Sequence, residues 1–231
     1  KKLTIKSENG SDNCIINGTG SNVFTLKADG IRIEGFTITG GCDGIRLKDS
    51  NNNTIINNNI ISNYGFGIYL DNSNNNSILN NNISNNLNGI YLFLSNNNSI
   101  SNNNFSNRWH GIDLSGSNNN NISKNIIGPS SYGISLLSSN ENTIRKNEFM
   151  NNGLFVEYSY GNIVEYNKVN GKPLVYLENE SDKIIDNAGQ VILVRCKKIT
   201  VMNSKLTNTD IGIELWQSDN CLISNNNISS N

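Results

Sequence analysis

The sequence is short of what builds helices and of what builds a metal centre. Only two alanines (Ala28 and Ala188) and two prolines occur in 231 residues. Alanine is the strongest helix former, so an all-α chain is excluded. Charged residues make up 16% of the chain, 18 Lys+Arg against 19 Asp+Glu. A nucleic-acid binder carries a basic excess, so no nucleic-acid partner is expected. No run of 18 apolar residues exists, and no segment reads as a membrane span. One histidine (His110), two methionines and four cysteines without a CxxC pair (Cys14, Cys42, Cys196, Cys221) do not compose a metal site, and no cofactor is expected.

What the chain has is asparagine, 50 residues of it. Isolated Asn-rich tracts can be disordered. Here Ile, Leu, Val and Phe total 64 residues, above the roughly 20% of a chain below which folding fails. Those residues stand in columns. The phrase G-I-x-L starts at Gly44, Gly67, Gly89, Gly111 and Gly133, varies at Gly153 and returns at Gly212. Counting from these anchors aligns Ile33, Ile55, Ile78, Ile100, Ile122 and Ile144 in one column, and Ile38, Ile60, Ile83, Phe105, Ile127 and Phe149 in another. Between them run a serine column (Ser50, Ser73, Ser95, Ser117, Ser139, Ser159) and an asparagine column (Asn58, Asn81, Asn103, Asn125, Asn147, Asn167, Asn226).

Apolar positions alternate with polar ones inside each repeat, as in short strands with one buried face. A unit of about 22 residues holds three strands and three turns and leaves no stretch for a helix. Stacked about 4.8 Å apart, such units form parallel sheets. The expected fold is all-β: a single-stranded parallel β-helix of about ten coils. The Asn column predicts an amide ladder, each side chain bonding to its equivalent one coil away. Residues 1–231 read as one β-helix domain with an irregular coil at about 170–190, where Gly153 and Gln190 stand 37 residues apart. The first residues read as the inside of a strand and the last stop in mid-pattern, as in a processed chain or part of a longer one.

The unit G-I-x-L-x-x-S-x-x-N-x-I-x-x-N-x-I resembles the β-helix repeat of NosD-type and CASH-domain proteins, and Asn170-Gly171-Lys172-Pro173-Leu174 with Val191-Ile192-Leu193-Val194 looks like archaeal secreted members. The resemblance implies a right-handed, pectin-lyase-like solenoid in an extracellular or cell-surface setting, with carbohydrate binding or sugar hydrolysis among its activities. NosD itself is associated with maturation of a copper enzyme.

Polygalacturonase-like β-helices carry N-T-D, then an Asp pair, then G-H-G. This chain contains Asn208-Thr209-Asp210 but neither of the others, so the tripeptide reads as accidental in so Asn-rich a sequence. His110 and Asp113 stand three residues apart and could form an acid–base couple, yet no second acid is evident and no catalytic residue is assigned. Alternation places Tyr69 and Tyr91 outward on successive coils, with Phe93 beside them, Asp113 continuing their row and Trp109 and His110 at its edge. These six residues form the candidate ligand groove, for cell-surface glycans or neighbouring surface proteins. The expected function is structural or adhesive without catalysis, glycan binding included. A lyase or glycoside hydrolase module is the alternative, ahead of copper-enzyme maturation.

Overall fold

The computed structural model describes residues 2–231, and among them there are strands but no helix. Three sheets form the main stack, and two smaller ones, of three and two strands, follow in the last coils. Sheet A has eight strands, from Leu3–Lys6 to Ile163–Glu165. Sheet C has seven, from Phe24–Leu26 to Leu154–Glu157. Sheet B starts at Ile15–Asn17 and reaches eleven. Neighbouring strands are parallel and one repeat apart, with Ile33 opposite Ile55, Ile38 opposite Ile60 and Ile45 opposite Ile68. The chain is a right-handed parallel β-helix of about ten coils. Its apolar columns fill the interior, and Ile33, Ile60, Leu70 and Ile122 are completely buried.

Close approach explains the anchor glycines. A Cβ on Gly111 would stand 2.6 Å from the Gly133 carbonyl oxygen and 2.7 Å from Ile127 Cγ2. Only glycine lets this corner pass beneath the next coil.

The abundance of asparagine has two local causes. At one turn the outer residue adopts a left-handed backbone, with φ of 56° at Asn57, 55° at Asn80 and 55° at Asn102, a conformation asparagine tolerates better than most. The residue that follows points inward and joins the ladder. Asn58, Asn81, Asn103, Asn125, Asn147 and Asn167 form an unbroken stack in which each backbone N–H donates to the next amide oxygen, at 2.9–3.0 Å. A second stack of the same kind joins Asn53, Asn76, Asn98, Asn120, Asn142 and Asn162, and a third joins Asn63, Asn86 and Asn107. The serine column is a ladder too, from Ser50 to Ser159. Asn226 stands apart from the first stack: it accepts from Ser204 N and donates to Val201 O.

The separation arises in the irregular segment. After Lys168–Val169 the chain reverses at Asn170-Gly171, and Lys172–Glu178 pairs antiparallel with the strand it has just left. On its other side it pairs parallel with Gln190–Val194, which pairs with Ile213–Trp216. Gln190–Val194 is buried on both faces. Ile192 and Val194 join the main core, while Val191 and Leu193 join a second core with Ile185, Ile199, Val201 and Leu206. Sheet B therefore separates two cores at the end of the main stack, and the last coils wind around the second one.

Candidate functional site

Sheet C belongs to the main stack and turns one row of side chains outward. Register carries one row of side chains across it: Arg46, Tyr69, Tyr91, Asp113, Ser135 and Phe155. Tyr69 and Tyr91 are 5.2 Å apart between ring centroids, and Tyr91 also stacks on Phe66 at 5.0 Å and on Phe93 at 6.4 Å. The Arg46 guanidinium lies over the Tyr69 ring at 4.6 Å and pairs with Asp71 at 3.0 Å. Burial raises the phenol pKa values of Tyr69 and Tyr91. Both rings therefore stay neutral at physiological pH and present half-buried faces.

Beyond the tyrosines the face becomes polar. His110 Nδ1 lies 3.1 Å from Asp113 Oδ2 and 3.3 Å from Asn88 Nδ2. Its ring packs 5.3 Å from Tyr132, which packs 5.3 Å from Phe155. Trp109 is exposed just before it. Of the six residues read from the sequence, Tyr69, Tyr91 and Phe93 stand in a single aromatic cluster and His110 and Asp113 form a pair, while Trp109 is exposed before the strand His110–Ser115.

Side chains outside these six residues meet the open edge of sheet C. Leu154–Glu157 is the last strand of sheet C, and side chains take the place of a following coil. Gln190 Oε1 accepts from Leu154 N at 2.9 Å and its Nε2 donates back to Leu154 O at 2.8 Å, as a neighbouring peptide group would. Glu214 Oε2 accepts from Val156 N. Asp210 Oδ2 accepts from Gly153 N at 3.0 Å and Gly133 N at 3.3 Å. Asp210 belongs to the N-T-D tripeptide set aside above. It lines an open depression of about 590 Å³ together with Tyr132, Asn151, Asn208, Thr209 and the last two residues, Ser230 and Asn231.

Burial pushes Asp210 up to about 7, against the backbone N–H groups of Gly133, Gly153 and Asp210 itself and the nearby His110, which lower it. Burial also pushes Glu214 up to about 7, opposed by the Val156 N–H and assisted by the charge of Glu157. The Thr209 hydroxyl and Asn88 Oδ1, beside His110, are buried without a protein partner. In native structures such orphaned atoms are few. Asp210 and His110 are 100 residues apart, and the turn of the chain after Val169 brings them together. No repeat column connects them, so only the tripeptide hinted at the position.

The donors present are not arranged for copper. His110 Nδ1 faces a carboxylate and an amide. Cys196 and Cys221 point their thiols at main-chain carbonyls, and Cys14 lies in the first coil. Among the described residues no three His, Cys, Asp or Glu side chains are grouped to hold a metal ion. Soft ligands do not converge, so these residues do not fit a copper centre.

An alginate lyase from Paenibacillus sp. str. FPU-7 superposes with a TM-score of 0.61 at 18% identity, over 98% of this chain and 84% of that one. A periplasmic alginate epimerase gives 0.58 at 16% identity, over 86% of this chain and 50% of that one. A family 28 exopolygalacturonase from Yersinia enterocolitica gives 0.52 at 13%, over 89% and 47%. The chain thus spans about half the length of the latter two, and the likeness is one of fold. No curated protein matches it. No helix is long and apolar enough to cross a membrane. The NosD family model, described as periplasmic copper-binding protein, matches residues 2–174, well over half of the chain, and the chain belongs to that family.

Proposed function

We propose that this protein binds a glycan along the outer face of sheet C, as a periplasmic or cell-surface β-helix. The observation that carries the reading is the continuity of that face, where stacked rings at Phe66, Tyr69, Tyr91 and Phe93 lead past the His110–Asp113 pair to the depression at Asp210. Ring faces suit the C–H surfaces of sugars, and the flanking carboxyls, amides and hydroxyls suit their O–H groups. Titrating the protein with oligosaccharides while following tryptophan fluorescence tests this, because Trp109 is exposed at the edge of the face and Trp216, the only other tryptophan, is partly buried. Saturable quenching is expected, weakened about tenfold by Tyr91→Ala through loss of about 1.4 kcal/mol of stacking. Binding that survives Tyr91→Ala unchanged would move the site elsewhere.

A second reading, glycan cleavage, is favoured by one observation. Asp210 retains its proton to about pH 7 within the field of His110, which is itself paired with Asp113. A protonated carboxyl near a second carboxylate is the equipment for glycosidic hydrolysis. New reducing ends released by the wild type and not by Asp210→Asn would establish it.

A further inference from the structure

We propose that the corner between sheets A and B, at Lys124 and Lys146, binds the phosphate dianion of a small soluble molecule. Sheet C does not share this corner, and the inference does not depend on the glycan reading.

The first ground is a departure from the repeat. The left-handed turn that leads from sheet A to sheet B is held by Asn57, Asn80 and Asn102 in three successive coils and by Lys124 and Lys146 in the next two. These turns stack directly, with Lys124 N donating to Arg145 O and Lys146 N to Glu165 O. The two lysines therefore leave the chain one coil apart, about 4.8 Å. The residue before the turn changes as well: Ser101 and Ser123 are followed in this column by Arg145. Three cations converge where the preceding coils carry neutral side chains. Like charges on neighbouring strands repel each other, and asparagine suits the left-handed turn better than lysine does. The lysine pair is unfavourable alone and favourable around an anion.

The second ground is what surrounds the pair. Lys124, Arg145 and Lys146 line an open depression of about 300 Å³ with the hydroxyls of Ser123, Thr143 and Tyr166 and the Asn121 amide. Register sets Asn121 beside Thr143 and Ser123 beside Arg145, on the outward side of the buried Ile122 and Ile144. Every one of these side chains can donate a hydrogen bond, and none is a carboxylate. Among the described residues the one ion pair these cations form is Arg145 with Glu165, which orients the guanidinium. The other nearby carboxyl, Glu148, stands on the sheet B side, opposite Lys168.

Charge then selects the ligand. Two unpaired ammonium groups match a phosphate monoester, which carries a charge of about −2 and three acceptor oxygens. A carboxylate brings one charge and two oxygens, and Arg145 already holds one.

Titration of the isotope-labelled full chain at low salt, read by amide chemical shifts at residues 121–124 and 143–146, tests the proposal. The probes are glycerol phosphate, glycerate, glycerol and phosphatidate vesicles. Glycerol phosphate is expected to bind saturably, about tenfold or more tightly than glycerate, and to weaken as salt is raised. Glycerol is expected to cause no shift. Lys124→Asn combined with Lys146→Asn restores the residue of the earlier coils, so the turn keeps its backbone, and is expected to weaken binding about tenfold or more. Lys205→Asn, at an exposed cation outside the corner, is expected to leave binding unchanged. Equal affinity for glycerate would overturn the phosphate assignment, and binding to vesicles without binding to glycerol phosphate would overturn the soluble ligand. No shift at the corner, or binding that survives the double substitution, would overturn the site itself.

Discussion

Asp210→Asn is expected to stabilise the protein at pH 8 and to flatten its pH dependence. The Asp210 carboxyl has an ordinary value of 3.8 and sits at about 7 in the fold. A carboxyl raised on folding contributes most below its unfolded value, so the contribution is full below about pH 4. It is lost as pH rises, and the loss is complete above about 7. Three units at 1.36 kcal/mol each set a ceiling of about 4 kcal/mol, and solvent in the open depression brings the expected gain for Asp210→Asn to about 2 kcal/mol at pH 8. The amide keeps an oxygen for the Gly133 and Gly153 N–H groups and removes the charge. Glu214, raised for the same reason, leaves a residual slope that Glu214→Gln should remove. Urea melts at pH 5 and pH 8 read both effects. An Asp210→Asn protein less stable than wild type at pH 8 would show that the carboxylate holds the junction by its charge. A stabilising substitution at a ligand site is the pattern expected where stability has been given up for function.

The second large effect belongs to the ladder. Asn103 Nδ2 donates to Ile78 O, Ser101 O and Asn125 Oδ1, while Asn103 Oδ1 accepts from both nitrogens of Asn81. In Asn103→Ala the Asn81 backbone N–H loses its acceptor in a buried stack. An unsatisfied donor of that kind costs about 1–3 kcal/mol, and the lost carbonyl partners bring the expected total to about 3 kcal/mol. Its neighbour Asn102 is the contrast. The turn position it holds is filled by Lys124, Lys146 and Tyr166 in later coils with the same left-handed backbone, so Asn102→Lys should cost well under 1 kcal/mol. His110→Ala, which removes one contact with Asp113 at the groove edge, should also be milder than Asn103→Ala. Equal losses at positions 102 and 103 would mean that backbone conformation rather than the amide stack sustains the coil.

The contrast between these two predictions tracks what could be read from sequence. Asn103 was legible because its column repeats every coil, and the inward Ile columns were legible for the same reason: a 22-residue period converts sequence spacing directly into contact. Tyr69, Tyr91 and Asp113 fell on one row by the same arithmetic. Two of the three Asn stacks are not legible because so many asparagines surround them, and the period alone puts Asn226 in the first stack although the chain reverses after Val169. Asp210, Glu214 and Gln190 act on the open edge of sheet C through side chains, across separations of 36 to 77 residues. No periodicity encodes such contacts, and the closed end of the groove became visible only in three dimensions.

A crystal structure of the full chain soaked with its tightest oligosaccharide addresses the central claim most directly. The account predicts sugar rings stacked over Tyr69 and Tyr91, with the chain end in the depression against Thr209 and Asp210. Density on the outer faces of sheets A or B, with the aromatic row bare, would contradict it.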